Sequence, residues 1–431
     1  MKQHAFNLLI GGEAGQGLQT VGLLLARSLA RSGYCVVVQQ TYESRVRGGH
    51  NTFAIRFSAD ELLAPQEPID LIVALSEETV PRHQDRLVPG GRIIADESFE
   101  APDDISIKVP YKRLGTGRFQ NVAAMGVAGA LLGIDEGLMA DTIVEHFGKT
   151  HPESAAKNRQ VLASAFEWGL QRASSVRRLE PIGEPRRLLL MHGHEAIALG
   201  AMSAGLRFYS FYPMSPSTSI GVMLASHAET MGMVVEQAED EIAAVNMAVG
   251  ASFAGAPSMV ATSGGGFALM VETVALAGVT ETPLVVVVGQ RVGPATGMAT
   301  RTEQADLEFV LHAGHGEFPR ALFAPGTVEQ CFHLTRKAFE LAERYQSPIF
   351  VLTDHFLADS YRTVEPFDVS GLPAVRVGAD PPASSTHYKR YAVTDSGVSP
   401  RLLPGMTQHL VVADSHEHTE DGHITENLAI R

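Results

Sequence analysis

The chain has 431 residues, 34 Lys+Arg against 48 Asp+Glu for a formal net charge of −14, 45% hydrophobic residues, 41 Gly and 23 Pro. That much apolar material supports two or three cored domains and excludes a disordered or fibrous chain, and the acidic balance excludes the basic face a nucleic-acid binder needs. Two cysteines, Cys35 and Cys331, allow neither a disulfide framework nor a four-cysteine cluster within the chain, and no apolar run reaches the roughly 18–20 residues of a membrane helix, so a cytoplasmic location is expected.

Residues 6–10 predict a first strand, which ends in the glycine cluster 11–17. Leu18, Val21, Leu24, Leu25 and Leu29 then recur at helical spacing, and Gly33 stops that helix. Strands are predicted at 36–38, 71–75 and 92–95. Continuous apolar runs separated by helices predict an α/β domain over 1–180, with an open, mostly parallel sheet covered on both faces. Residues 171–187 are rich in charge and proline, and a linker is expected at 181–187. A second α/β domain is expected over 188–362, with helices near 194–205, 219–230, 267–278 and 327–345 and strands at 259–261, 284–288 and 349–352. Beyond 362 the composition turns to Pro, Ser and Gly, so 363–431 is read as an extended segment with no packed element. No internal repeat is apparent.

The first glycine loop, Gly11-Gly12-Glu13-Ala14-Gly15-Gln16-Gly17, sits between a strand and a helix, where bare backbone and a helix N-terminus favour an anion. A dinucleotide fingerprint fails there. It would need glycine where Thr20 stands, and Gln39 and Gln40 replace the acidic residue expected after the second strand. A tight turn, a phosphate site and an interface remain open for Gly12, Gly15 and Gly17. Downstream, Arg45-Val46-Arg47-Gly48-Gly49 is either an anion-binding loop or a solvated one.

In the second domain, Tyr212-Pro213-Met214-Ser215-Pro216 is a stiff loop ahead of a helix. Glu239-Asp240-Glu241 opens the next helix, either as dipole-favoured surface charge or with one carboxylate turned into a cleft. Thr262-Ser263-Gly264-Gly265-Gly266 forms a loop after a strand. Arg291 follows the 284–288 strand, at the carboxyl end where open α/β sheets place ligands, as a substrate clamp or a salt-bridged structural residue.

These motifs, in this order, carry a resemblance. YPMSP (212–216), AEDEIAAVNMAVGAS with ATSGGG (238–266), QRVGPATG (290–297) and GHGEFPR (314–320) resemble the alpha subunit of 2-oxoacid:ferredoxin oxidoreductases. GGEAGQG and RVRGGHN resemble the gamma subunit, which some members fuse ahead of alpha. The resemblance covers about residues 1–360. It implies a thiamine-diphosphate-binding pyrimidine-type domain and oxidative decarboxylation of a 2-oxo acid with transfer of the acyl group to coenzyme A, 2-oxoglutarate being the best match and pyruvate or another 2-oxo acid the alternative.

Carried over residue by residue, the resemblance implies that Glu241, with Glu239 as its nearest rival, shares a proton with the aminopyrimidine of the cofactor. Tyr212, Pro213, Thr262, Ser263 and Gly264 are implied around the cofactor. Ser215 stands where the family usually has Thr, and is implied to hydrogen-bond the 2-oxo acid. Arg291 is implied to hold the substrate carboxylate, and Arg301, Arg45 or Arg47 a distal one. Gly12, Gly15, Gly17, Arg47, Gly48 and Gly49 are candidates for coenzyme A or an interface. The chain has no Gly-Asp-Gly motif, the nearest string being Glu420-Asp421-Gly422. Mg²⁺ and an iron–sulfur cluster are therefore expected on a beta subunit, with no metal on this chain. Ferredoxin is the implied electron acceptor, and a dimer of heterodimers the expected assembly. For the family's usual transketolase-C-terminal-like domain after 431, two expectations stay open: that the sequence is a shortened one, or that the domain is absent. A nucleotide-dependent dehydrogenase and a non-catalytic scaffold subunit are the remaining alternatives.

Overall fold

The computed structural model describes residues 5–44, 48–115, 119–148, 152–378, 388–406 and 408–430. Arg45 and Arg47 lie outside the described residues. The chain forms two compact units, Met1–Met191 with Ser360–Pro366, and His192–Asp359 with Phe367–Arg431.

The first unit is built on strands β1 (Ala5–Ala14), β2 (Cys35–Thr41), β3 (Gly48–Ser58), β4 (Ile69–Ala74), β5 (Leu87–Asp96), β6 (Ser106–Val109) and β7 (Leu189–Met191). The second holds β8 (Phe208–Phe211), β9 (Val234–Gln237), β10 (Ser258–Thr262), β11 (Leu284–Gln290), β12 (Ala321–Phe323) and β13 (Pro348–Asp354), after which β14 (Arg362–Val364) returns to the first sheet. That sheet runs β6-β5-β4-β1-β3-β2-β14-β7. β6, β5, β4 and β1 are parallel, whereas β3 pairs antiparallel with both β1 and β2.

The sheet is thus mixed where the sequence predicts mostly parallel pairing. The difference is β3, where no strand is predicted and whose opening Gly48-Gly49 falls in the segment expected as a loop. Its inward residues Phe53, Ile55 and Phe57 alternate with less buried ones, the period of a strand. Helix Leu18–Arg31 and helix Gln120–Leu132 cover one face of the sheet with a large apolar cluster that includes Leu8, Leu25, Phe53 and Leu131. A smaller cluster around Leu9, Ile72 and Ile93 closes the other.

The second sheet is parallel throughout, in the order β12-β13-β11-β10-β8-β9. β11 is buried along its whole length, as a strand with helices on both faces must be. Helices Gly193–Ala204, Thr218–Met231, Glu241–Phe253, Gly264–Val279 and Val328–Tyr345 complete this unit.

Two sequence expectations change here. The segment 188–191, expected to begin the second domain, is instead an edge strand of the first sheet, pairing with β14. Residues 388–430, expected to lack packing, are irregular but anchored. Arg390 is 3% exposed and bonds the Glu281 carboxylate and the Thr280 and Glu281 carbonyls. Arg401 is 4% exposed and pairs with the buried Glu343 carboxylate at 2.7 Å. Anchoring by single ion pairs leaves no periodicity to read. Among the described residues no helix is long and apolar enough to cross a membrane.

Candidate active site

Helix Glu241–Phe253 explains which of three consecutive acids turns inward. Asp240 is its N-cap, the side chain accepting from Ala243 N at 2.7 Å. Glu239 precedes the helix and is exposed. Glu241 is the first helical residue, on the same face as the buried Ala244, Val245 and Ala248, and is only 4% exposed. Oε1 of its carboxylate is buried without a hydrogen-bond partner. A buried acid without a partner is costly, and the helix N-terminus offsets part of that cost.

Thr262 and Ser263, both fully buried, end β10 beside it. Ser263 Oγ also has no partner. Helix Gly264–Val279 begins here, and the glycines at its start make room. A Cβ at Gly266 would stand 2.6 Å from Glu241 Oε1 and collide with Thr262 Oγ1, while one at Gly264 would meet Asp306 Oδ2 at 2.6 Å. Glu241 and Thr262 therefore pack directly on the Gly266 backbone, and a carboxylate oxygen and a neighbouring-loop hydroxyl are left buried without a described partner.

The YPMSP loop meets Thr262 through Met214, whose Sδ lies 4.0 Å from Thr262 Oγ1. Tyr212, Pro213 and Ser215 are exposed. Arg291, immediately after β11, donates from Nη1 to Ser215 O at 2.8 Å. Of the two sequence readings, this arginine is therefore bonded to the serine loop, with no carboxylate among the partners described for it. Arg301 belongs to the loop that follows β11, its carbonyl accepting from Val292 N at 3.3 Å and its guanidinium turned onto Thr300 O at 3.0 Å.

Three contributors escape sequence reasoning. Asp306, whose carboxyl burial and Glu303 push above its ordinary range, is tied to β11 by its N–H donating to Gln290 Oε1 at 3.0 Å. Gly266, part of the glycine motif in sequence, gains a specific role only when the Glu241 carboxylate is placed against it. His194, considered below, sits in an unremarkable alanine-rich helix.

In the first unit, Gly15 and Gly17 both take positive φ, 92° and 72°, and Gly17 caps helix Leu18–Arg31. Gly12 packs on the Gln16 side chain. The turn opens on a cavity of about 750 Å³ lined by Gly15, Gly17, Thr20, Asp96, Tyr111 and Asn158, at the carboxyl ends of β1 and β5, where open sheets bind ligands. The Tyr111 hydroxyl, buried there, has no partner. Gly48 and Gly49 have φ of 71° and 75° at the start of β3.

Comparison with known proteins adds the family. A model described as pyruvate flavodoxin/ferredoxin oxidoreductase, thiamine diphosphate-binding, matches residues 199–430, and one for pyruvate ferredoxin/flavodoxin oxidoreductase matches 7–168. The 2-oxoacid:ferredoxin oxidoreductase subunit alpha of a Sulfolobus species is 31% identical over 98% of this chain and 76% of its own length. The 2-oxoglutarate synthase subunit KorA of Archaeoglobus fulgidus is 39% identical over 41% of this chain and 51% of its own. The structure of 2-oxoglutarate:ferredoxin oxidoreductase from Magnetococcus marinus, with 2-oxoglutarate, coenzyme A and succinyl-CoA bound, superposes with a TM-score of 0.90 at 31% identity, covering 99% of this chain and 77% of that one. With a thiamine-diphosphate-binding domain following the domain matched at its N-terminal end, this chain belongs to the 2-oxoacid:ferredoxin oxidoreductases, as an alpha subunit.

Proposed function

We propose that this subunit serves the CoA-dependent oxidative decarboxylation of 2-oxoglutarate, with Glu241, Ser215 and Arg291 as its contribution to the site. The observation that carries the reading is the buried, unpartnered carboxylate of Glu241 against the Gly266 backbone. That cradle fits a flat aminopyrimidine carrying a ring nitrogen able to share a proton. Thiamine diphosphate, when bound, supplies the carbon nucleophile for the 2-oxo group.

The chain's own residues do the rest. Glu241 exchanges a proton with the ring through the buried Oε1. Ser215 presents a hydroxyl to the 2-oxo acid, and the serine in place of threonine keeps the donor while removing a methyl. Arg291 offers its remaining guanidinium N–H groups to the substrate carboxylate, and its bond to Ser215 O keeps clamp and hydroxyl in fixed relation. Arg301 is assigned the distal carboxylate. The Archaeoglobus and Magnetococcus relatives, both named for 2-oxoglutarate, support that substrate over pyruvate.

The remaining parts are assigned to other sites. A beta subunit would carry the diphosphate, Mg²⁺ and iron–sulfur groups and pass electrons to ferredoxin. Its docking face is read from Val222, Val234, Ile242 and Leu269, which are 65%, 53%, 49% and 51% exposed in the second unit. Coenzyme A is assigned to the first unit, at the Gly12, Gly15, Gly17 turn and the Gly48-Gly49 strand start, with Arg47 adjoining in sequence; the cavity and orphan Tyr111 hydroxyl beside that turn support a ligand there. Co-expression with the beta subunit, followed by CoA-dependent viologen reduction across a panel of 2-oxo acids, tests the proposal. Turnover highest with 2-oxoglutarate is expected, and preference for pyruvate would reassign Arg301.

A further inference from the structure

We propose that His194 is a positioning residue for the 2-oxo acid, acting through the Pro216 carbonyl and the Ser219 hydroxyl to set the loop that presents Ser215; this rests on the reading of the site given above. His194 stands in the first turn of helix Gly193–Ala204, whose N-cap His192 and Glu195 form a reciprocal capping box. Its side chain is fully buried. Nδ1 lies 3.0 Å from Ser219 Oγ, and the ring also bonds the Pro216 carbonyl. Ser219 Oγ donates to that same carbonyl at 3.3 Å.

The tautomer follows from the partners. Ser219 Oγ gives its one proton to the Pro216 carbonyl and so accepts from Nδ1, which carries the ring proton. Nε2 is then a bare acceptor, and it is buried with no partner. Burial first, then the neighbouring His192, drives the imidazole to a pKa of about 3, with His355 adding to the effect. The ring is therefore a neutral, fixed donor and not a proton carrier.

What that donor fixes is the Pro216–Ser217 peptide, one residue beyond the Ser215–Pro216 peptide. On the other side of Pro216, Arg291 holds the Ser215 carbonyl, and Met214 O accepts from Ser217 Oγ at 2.8 Å and Thr218 N at 3.2 Å. Every carbonyl from Met214 to Pro216 thus has a donor, and no hydrogen bond to the chain is described for the Ser215 hydroxyl. His194 is the only one of these donors that comes from helix Gly193–Ala204. A donor lost here frees the loop to shift the hydroxyl without touching the cofactor wall.

The test uses the assembled enzyme with its partner subunit and thiamine diphosphate. H194A should raise KM for the 2-oxo acid about tenfold with kcat nearly unchanged, the signature of lost ground-state binding. Calorimetry should show the affinity for a phosphonate analogue of the 2-oxo acid falling by the same factor, and the affinity for thiamine diphosphate unchanged. H194N, whose Nδ2 falls near Nδ1, should restore both. Should H194A not fold, S219A removes the companion bond and carries the same expectation. Wild-type KM in H194A, failure of Asn to rescue, or equal losses of substrate and cofactor affinity each overturn the assignment. A wild-type complex inert toward every 2-oxo acid overturns instead the reading beneath it, and this proposal with it.

Discussion

Replacing Glu241 with Gln separates the chemistry of this site from its stability. The substitution conserves shape and removes the carboxylate, which is 4% exposed and has an oxygen without a described partner. Leaving a buried polar group unsatisfied costs about 1–3 kcal/mol, more when it is charged. The helix N-terminus returns about 0.3–1 kcal/mol of that to a carboxylate. Gln also leaves a buried polar group unsatisfied, so only the extra cost of a carboxylate is relieved; the difference favours Gln by about 0–2 kcal/mol, and at about 2–4 °C per kcal/mol for a unit of this size the unfolding midpoint should rise by up to about 8 °C. Turnover should move the other way, because an amide cannot exchange the proton. A positioned acid–base group is worth about 10²–10⁴ in rate. The assay is a thermal melt of the isolated chain beside CoA-dependent viologen reduction by the reconstituted complex. E239Q is the control, since that side chain is exposed, and should change neither. Wild-type turnover in E241Q, or a lowered melting point, would refute the placement of an unpaired carboxylate at the reacting centre.

Arg291→Lys should raise KM for the 2-oxo acid roughly 10- to 100-fold in steady-state assays, since a point charge cannot bond Ser215 O and a carboxylate together as a guanidinium does. Arg401→Ala strands the buried Glu343 and should destabilise by about 3–5 kcal/mol in urea unfolding, whereas the double change E343Q with R401M should lie near wild type. The folded-state pKa values of His194 and His83 are lowered, to about 3 and about 4, so the unfolded chain takes up protons first as pH falls. Stability should be complete above about pH 6.5 and decline steadily below it, and H194N should flatten the slope of melting temperature against pH. Val234→Lys on β9, at the edge of the second sheet, should abolish co-purification with the beta subunit and leave the melt of the isolated chain unchanged.

Helix periodicity, applied to the acids as well as to the apolar residues, singles out Glu241 independently of the resemblance. Positions 241, 244, 245 and 248 lie on one face, and the three partners of Glu241 on that face are Ala244, Val245 and Ala248. The carboxylate sharing a stripe with alanine and valine is the one that must be buried, and its neighbours at 239 and 240 are out of phase. β3 was legible on similar grounds. Phe53, Ile55 and Phe57 keep a period of two, but the Arg-Gly-Gly opening drew the reading toward a loop, and losing that strand made a mixed sheet look parallel.

Features set by one polar contact between distant segments have no such signature. Arg401 finds Glu343, His194 finds Pro216, and Asp306 finds Gln290 across separations of 58, 22 and 16 residues, with nothing periodic to announce them. The same contrast distinguishes stability from function in the second unit. Arg390 and Arg401 are buried charges whose partners satisfy them, so folding alone explains their retention. Glu241 Oε1 and Ser263 Oγ are buried polar atoms for which no partner is described. A chain under selection for stability alone would replace both with apolar residues. In the function proposed above, the bound cofactor completes the bond at Glu241, which gives a reason for a carboxylate to stand where folding alone gives none.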